Sequence, residues 1–181
     1  MEPRFGGCCN GLLLVLEQLI KVEAGYTSWE LTMIERIVVA TDGSKCAREA
    51  AEYAVSIASK YGAKIIAIYV VDELFVDKLV RDLGYDKEEL KNSFGRAGLK
   101  YVGHVAESAK RNGVDVEELV TLGVPEKMIV SEAREQKADL IVMGMVGEGG
   151  EKPLLGSVTE RVLNSAPCPV LVVKPSNSVE E

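Results

Sequence analysis

Short apolar runs rich in β-branched residues alternate along this chain with longer stretches whose apolar residues recur every three or four positions. The first pattern fits strands buried on both faces and the second fits one stripe of a helix. Their alternation predicts a parallel sheet covered by helices on both sides. Strands are predicted at Arg36–Thr41 (RIVVAT), Lys64–Val71 (KIIAIYVV), Val116–Thr121, Asp139–Gly144 (DLIVMG) and Val170–Lys174 (VLVVK). After the first strand, Cys46, Ala50, Tyr53, Ala54, Ile57, Ala58 and Tyr61 make the buried stripe of a helix that Gly62 ends. The charged segment from Asp72 to about Arg96 is expected to be helical in part. Val102, Val105, Ala106 and Ala109 mark a helix ending at Gly113. Pro125 opens another, with Met128, Ile129 and Ala133 inward, and a last one runs from Ser157 to about Ser165.

The regular pattern begins at Met33. Residues 1–32 have a different texture, with Gly6, Gly7, Cys8, Cys9 and Gly11 ahead of Leu12–Val22, so they are expected to be an extension, either a short amphipathic helix or disordered. Residues 33–175 are expected to form one domain, and 176–181 a polar tail. A chain of 181 residues with 28 acidic and 21 basic side chains carries a formal charge of −7 and holds no Lys or Arg block, which argues against nucleic acid or an anionic membrane face as partner. No apolar run approaches the roughly 20 residues of a membrane span, and no clean signal-peptide cleavage pattern is visible. Cys8, Cys9, Cys46 and Cys168 lack paired CxxC spacing, and His104 is the single histidine, so no metal site is expected. The absence of a disulfide framework fits a reducing compartment, and the cytoplasm is the expected location.

Two segments follow predicted strands: Thr41-Asp42-Gly43-Ser44 after the first, and Gly144-Met145-Val146-Gly147 running on to Gly156-Ser157-Val158-Thr159 after the fourth. Open parallel sheets bind ligands beyond those strand ends. Gly144, Gly147 and Gly156 are expected where the backbone turns with positive φ or approaches a ligand. The Gly156 and Ser157 amides, at the start of a helix, suit an anion, with the Ser157 and Thr159 hydroxyls adding donors. Ser157 and Glu160 equally match a capping box, which needs no ligand. Asp42 has two readings of similar weight, the N-cap of the first helix, or an acceptor or metal-water contact facing the crevice. Neither GxxxxGK[ST] nor GxGxxG is present. His104 on a helix is given no role, Cys46 and Cys168 are expected to pack, and no catalytic residue can be named.

The succession VATDGS, YVVDE, DLIVMG, LLGSVTERVL and CPVLVVK resembles the universal stress protein family from Met33 to Lys174. The resemblance implies an α/β fold with strand order 3-2-1-4-5 and a homodimer through the last strand. For the subclass with a G-x2-G-x9-G-[ST] loop it implies ATP binding with no required catalytic step, the nucleotide accompanied by Mg2+ or Mn2+. Carried over by position, Ala40, Thr41 and Asp42 flank adenine and ribose, Val70 touches adenine, and Met143 and Gly144 support ribose. Gly147, Gly156, Ser157, Val158 and Thr159 hold the phosphates. Here eight residues, Glu148 to Leu155, separate Gly147 from Gly156 where the pattern has nine. Glu148 and Glu151 also set two carboxylates against the one Lys152 in that loop, which disfavours a triphosphate without a divalent cation. The function expected is an ATP-binding stress or signalling module, its partner protein unknown. A slow ATPase or nucleotidyl-transfer enzyme in the same crevice and a nucleotide-free interaction module are the alternatives.

Overall fold

A computed structural model describes residues 34–147 and 155–174. Within them a five-stranded parallel sheet has the order β3-β2-β1-β4-β5, with β1 at Arg36–Ala40, β2 at Lys64–Asp72, β3 at Val116–Gly123, β4 at Leu140–Gly144 and β5 at Val170–Val173. The helices are α1 (Lys45–Tyr61), α2 (Glu73–Leu83), α3 (Lys87–Arg111), α4 (Pro125–Glu135) and α5 (Ser157–Ser165). The expectations for residues 1–32 and for the polar tail lie outside the described residues.

The period-2 alternation of the strands divides the core in two. Ile37, Val39, Ile65, Ala67 and Val142 face α1 and α3. Val38, Ile66, Ile68, Ile141 and Met143 face α4 and α5. The buried stripe of α1 is made of Cys46, Ala47, Ala50, Ala51, Ala54, Val55 and Ala58, whereas Tyr53 is 59% and Tyr61 45% exposed. The stripe is thus rotated from the predicted one: small side chains let α1 lie close on the sheet, and the tyrosines remain in water.

The charged segment after β2 resolves into two helices. Asp72 caps α2 by accepting the Leu74 and Phe75 amides at 2.9 and 3.2 Å, and Gly84, with φ 72°, ends it. Asp86 then caps α3 through the Glu89 amide at 2.7 Å. Val102–Ala109 is the C-terminal part of this 25-residue helix, which ends at Arg111 ahead of Gly113. With β1 paired to both β2 and β4, the connections leave the sheet toward opposite faces. A crevice opens beyond the carboxyl ends of β1 and β4.

Candidate functional site

That crevice is a cavity of about 710 Å³. Ala40, Thr41 and Asp42 enter it from the end of β1, Val70 from β2, and Met143 and Gly144 from β4. Gly147 and the opening of α5, Gly156 to Thr159, complete one side. The residues that the resemblance assigns to a nucleotide thus all line a single hollow.

The turn after β1 is fixed by its own polar groups. The Thr41 amide donates to the Ile68 carbonyl at 3.0 Å, the Gly43 amide to Thr41 Oγ1 at 3.3 Å, and the Ser44 amide to Asp42 Oδ1 at 3.0 Å. Ser44, not Asp42, is the N-cap of α1, its hydroxyl accepting the Ala47 amide at 3.1 Å. The capping alternative for Asp42 is therefore overturned: a cap must directly precede the helix, and Asp42 lies two residues earlier, with Oδ2 beside Gly147.

Val70 presents backbone rather than side-chain polarity. In a parallel ladder the amide and carbonyl of one residue point to the same neighbouring strand, and successive residues alternate sides. The Lys64 amide donates to Glu35 and the Ile68 carbonyl accepts from Thr41, both on the β1 side, while the Ile65 amide donates to Asp115 on the β3 side. Val70 shares the parity of Lys64 and Ile68, so its amide and carbonyl face β1. The register of β1 with β2 ends at Ala40 opposite Ile68, which leaves this Val70 edge turned to the crevice.

The glycine segment differs from expectation in three respects. Gly144, Gly147 and Gly156 are not among the positive-φ residues; close approach is what they serve. A Cβ at Gly144 would lie 3.0 Å from the Ala47 amide nitrogen, and one at Gly147 2.5 Å from Asp42 Oδ2. Second, Gly156 is the N-cap of α5 and Ser157 its first residue, with no side-chain capping bond, so the Ser157–Glu160 capping box does not form. Third, the Gly156 amide is engaged by the Met145 carbonyl at 2.8 Å, and the Thr159 hydroxyl donates to the Gly144 carbonyl at 3.0 Å. The donors turned to the cavity are thus the first-turn amides of Ser157, Val158 and Thr159, which have no intrahelical acceptor and sit at the positive end of the helix dipole. Glu148, Glu151, Lys152 and the shortened loop spacing fall among residues 148–154, outside the described residues.

Sequence reasoning missed the opposite wall. Tyr69, Phe75, Phe94 and Tyr101 line the cavity from β2, α2 and α3. Tyr69 and Tyr101 pack with ring centroids 5.7 Å apart, and Phe75 and Phe94 at 6.0 Å. Such separated aromatics carry no motif; their traces are two glycines, Gly98, where a Cβ would overlap the Tyr69 ring, and Gly43, where one would overlap the Tyr101 ring. Among the described lining residues there is no Lys, Arg or His, and Asp42 and Asp72 are the carboxylates. His104 instead borders a separate, smaller hollow with Arg48, Glu52 and Arg111. Cys168 packs on the α4–α5 side of the core, and burial pushes its thiol above the usual range, with the Asp139 carboxylate adding to the shift. No cluster of three or more His, Cys, Asp or Glu fit to hold a metal occurs among the described residues. No described helix is long and apolar enough to cross a membrane.

The model of the universal stress protein family matches residues 33–174. The chain belongs to that family. Universal stress protein MJ0531 of Methanocaldococcus jannaschii is 44% identical over 144 residues, covering 78% of this chain and 83% of that relative. The solved structure of MJ0577, from the same organism, matches with a TM-score of 0.71 at 29% identity, across 81% of this chain and all (100%) of that one. A universal stress protein solved in complex with cAMP matches with a TM-score of 0.56 at 28% identity, over 80% of this chain and 100% of its own. Among the family's solved structures, then, is one that holds an adenine nucleotide.

Proposed function

We propose that this universal stress protein is a nucleotide-binding module whose ligand is ATP, bound without an efficient catalytic step. The observation that carries the reading is the start of α5: three first-turn amides open, without a side-chain cap, into a cavity that fits an anion. The base is chosen at the other end. Adenine offers an acceptor nitrogen beside an amino donor, matching the amide and carbonyl of Val70, whereas guanine presents the reverse pair along that edge. Strands β4 and β2 are two interstrand spacings apart, about 10 Å, which leaves room for ribose at Ala40, Thr41, Asp42, Met143 and Gly144.

With no basic side chain on the described lining, amides and the helix dipole meet only part of a triphosphate's charge. Mg2+ or Mn2+ would arrive on the phosphates, with Asp42, whose Oδ2 lies beside Gly147, a described carboxylate that could meet it. Asp42 and Asp72 are joined by no Lys, Arg or His among the described lining residues, and phosphoryl transfer draws on a positioned cation, so turnover is not part of this reading. The same reading includes a cytoplasmic homodimer formed along the edge strand β5. Mass spectrometry of ligand released from freshly purified protein tests it: an adenine nucleotide is expected, and loss of the reading follows if none is found and none binds on addition.

A nucleotide-free interaction module is the second reading. It draws on the Gly156 amide and the Thr159 hydroxyl, which the chain's own carbonyls already occupy.

A further inference from the structure

We propose that Cys46 is a positioning residue for the anion-binding half of the cavity, an inference that rests on the nucleotide reading above. Cys46 is the second residue of α1 and is buried, with 3% exposure, between the ends of β4 and β5. Its thiol donates to the Val173 carbonyl at 3.1 Å, and its sulfur accepts the Met145 amide at 3.2 Å. The Met145 amide also reaches the Val173 carbonyl, at 2.8 Å. Met145 is the first residue past β4, and its own carbonyl accepts the Gly156 amide at 2.8 Å. One residue therefore separates the sulfur from the N-cap of α5. The seat is tight: a Cβ at Gly144 would lie 3.0 Å from both the Cys46 sulfur and its backbone carbonyl carbon.

Ala47, not Cys46, lines the cavity, so the thiol acts on a ligand only through Met145 and Gly156. Each sulfur bond is weak. Their placement gives them leverage, because a shift at the root of the glycine segment turns the Ser157, Val158 and Thr159 amides away from the phosphates, and binding by fixed donors depends on aim. A thiol that merely fills space makes the opposite demand on substitution. Filling is preserved by Cys46→Val and impaired by Cys46→Ser; positioning is preserved by Cys46→Ser, which keeps a donor and an acceptor, and impaired by Cys46→Val.

The test measures the affinities of Mg-ATP and of adenosine, which lacks phosphates, together with amide exchange at Gly156 in nucleotide-free protein. Cys46→Ser should hold the wild-type ATP-to-adenosine ratio within about twofold, while Cys46→Val lowers ATP affinity about fivefold with adenosine unchanged and speeds Gly156 exchange. Cys46→Ala repeats the loss of both bonds without added bulk. The proposal is overturned if Val and Ala leave the ratio and the exchange at wild type, or if ATP and adenosine weaken together in every variant. Should the wild type bind no ATP, the nucleotide reading falls on its own, and Gly156 exchange in the three variants still decides the role of Cys46.

Discussion

Asp42 Oδ2 occupies the space that a side chain at Gly147 would need: a Cβ there would lie 2.5 Å from it. The carboxylate after β1 and the glycine segment after β4 are thereby packed together across the crevice. Gly147→Ala must push Asp42 aside and strain its Oδ1 contact with the Ser44 amide, which is 3.0 Å in the wild type. We expect a loss of about tenfold in ATP affinity but no more than about 1 kcal/mol in stability. Calorimetry and denaturant melts on the variant check both, and unchanged affinity would detach Asp42 from the site.

Gly95 and Gly98 lie on the same helix and should respond in opposite directions. A Cβ at Gly95 meets nothing within 4 Å, whereas one at Gly98 overlaps the Tyr69 ring. Gly95→Ala should stabilise by roughly 0.5–1 kcal/mol through helix propensity alone. In Gly98→Ala the same gain is outweighed by overpacking of about 1–3 kcal/mol, since Tyr69 is held between β2 and Tyr101. Urea denaturation of the two variants reads the sign of each.

The strands were legible because a continuous β-branched run bounded by turn residues packs best as a strand buried on both faces, and the departures were a residue or two at strand ends. Helix faces were less so. A stripe through Tyr53 and Tyr61 and one through Ala47, Ala51 and Val55 satisfy the same periodicity, and the choice depends on how closely α1 must approach the sheet. At the site, residue identity revealed which backbone segments matter but not which of their groups were already used: Gly156 and Thr159 spend their donors on Met145 and Gly144. The aromatic wall needed three dimensions, since Tyr69, Phe75, Phe94 and Tyr101 meet only once α2 and α3 fold over β2.

The outer edge of β5 gives a test of the homodimer. The Ile141 and Met145 amides donate to Pro169 and Val173, so the odd-numbered residues of this strand face β4, and Val170 and Val172 turn their backbone groups outward. Val172→Pro removes an outward donor while sparing the ladder to β4. Light scattering should show a dimeric wild type and a monomeric, still folded variant. A dimeric variant would place the contact elsewhere.

Cys168 predicts an alkaline effect. Burial raises its thiol above the reference value of 9.0, so the folded state retains this proton more tightly than the unfolded chain. Its contribution is complete below that reference value and is lost as pH rises through the folded value. The stability difference between wild type and Cys168→Ala should therefore hold steady well below pH 9.0 and shrink as the pH rises past it, measured by urea denaturation at each pH. A constant difference would contradict the burial effect.

The most direct measurement is a calorimetric titration of the purified protein with Mg-ATP and Mg-GTP side by side. If the Val70 edge reads the base and the first turn of α5 holds the phosphates, ATP binds and GTP is weaker by about tenfold or more. Equal heats from the two nucleotides, or none from ATP, would contradict the account.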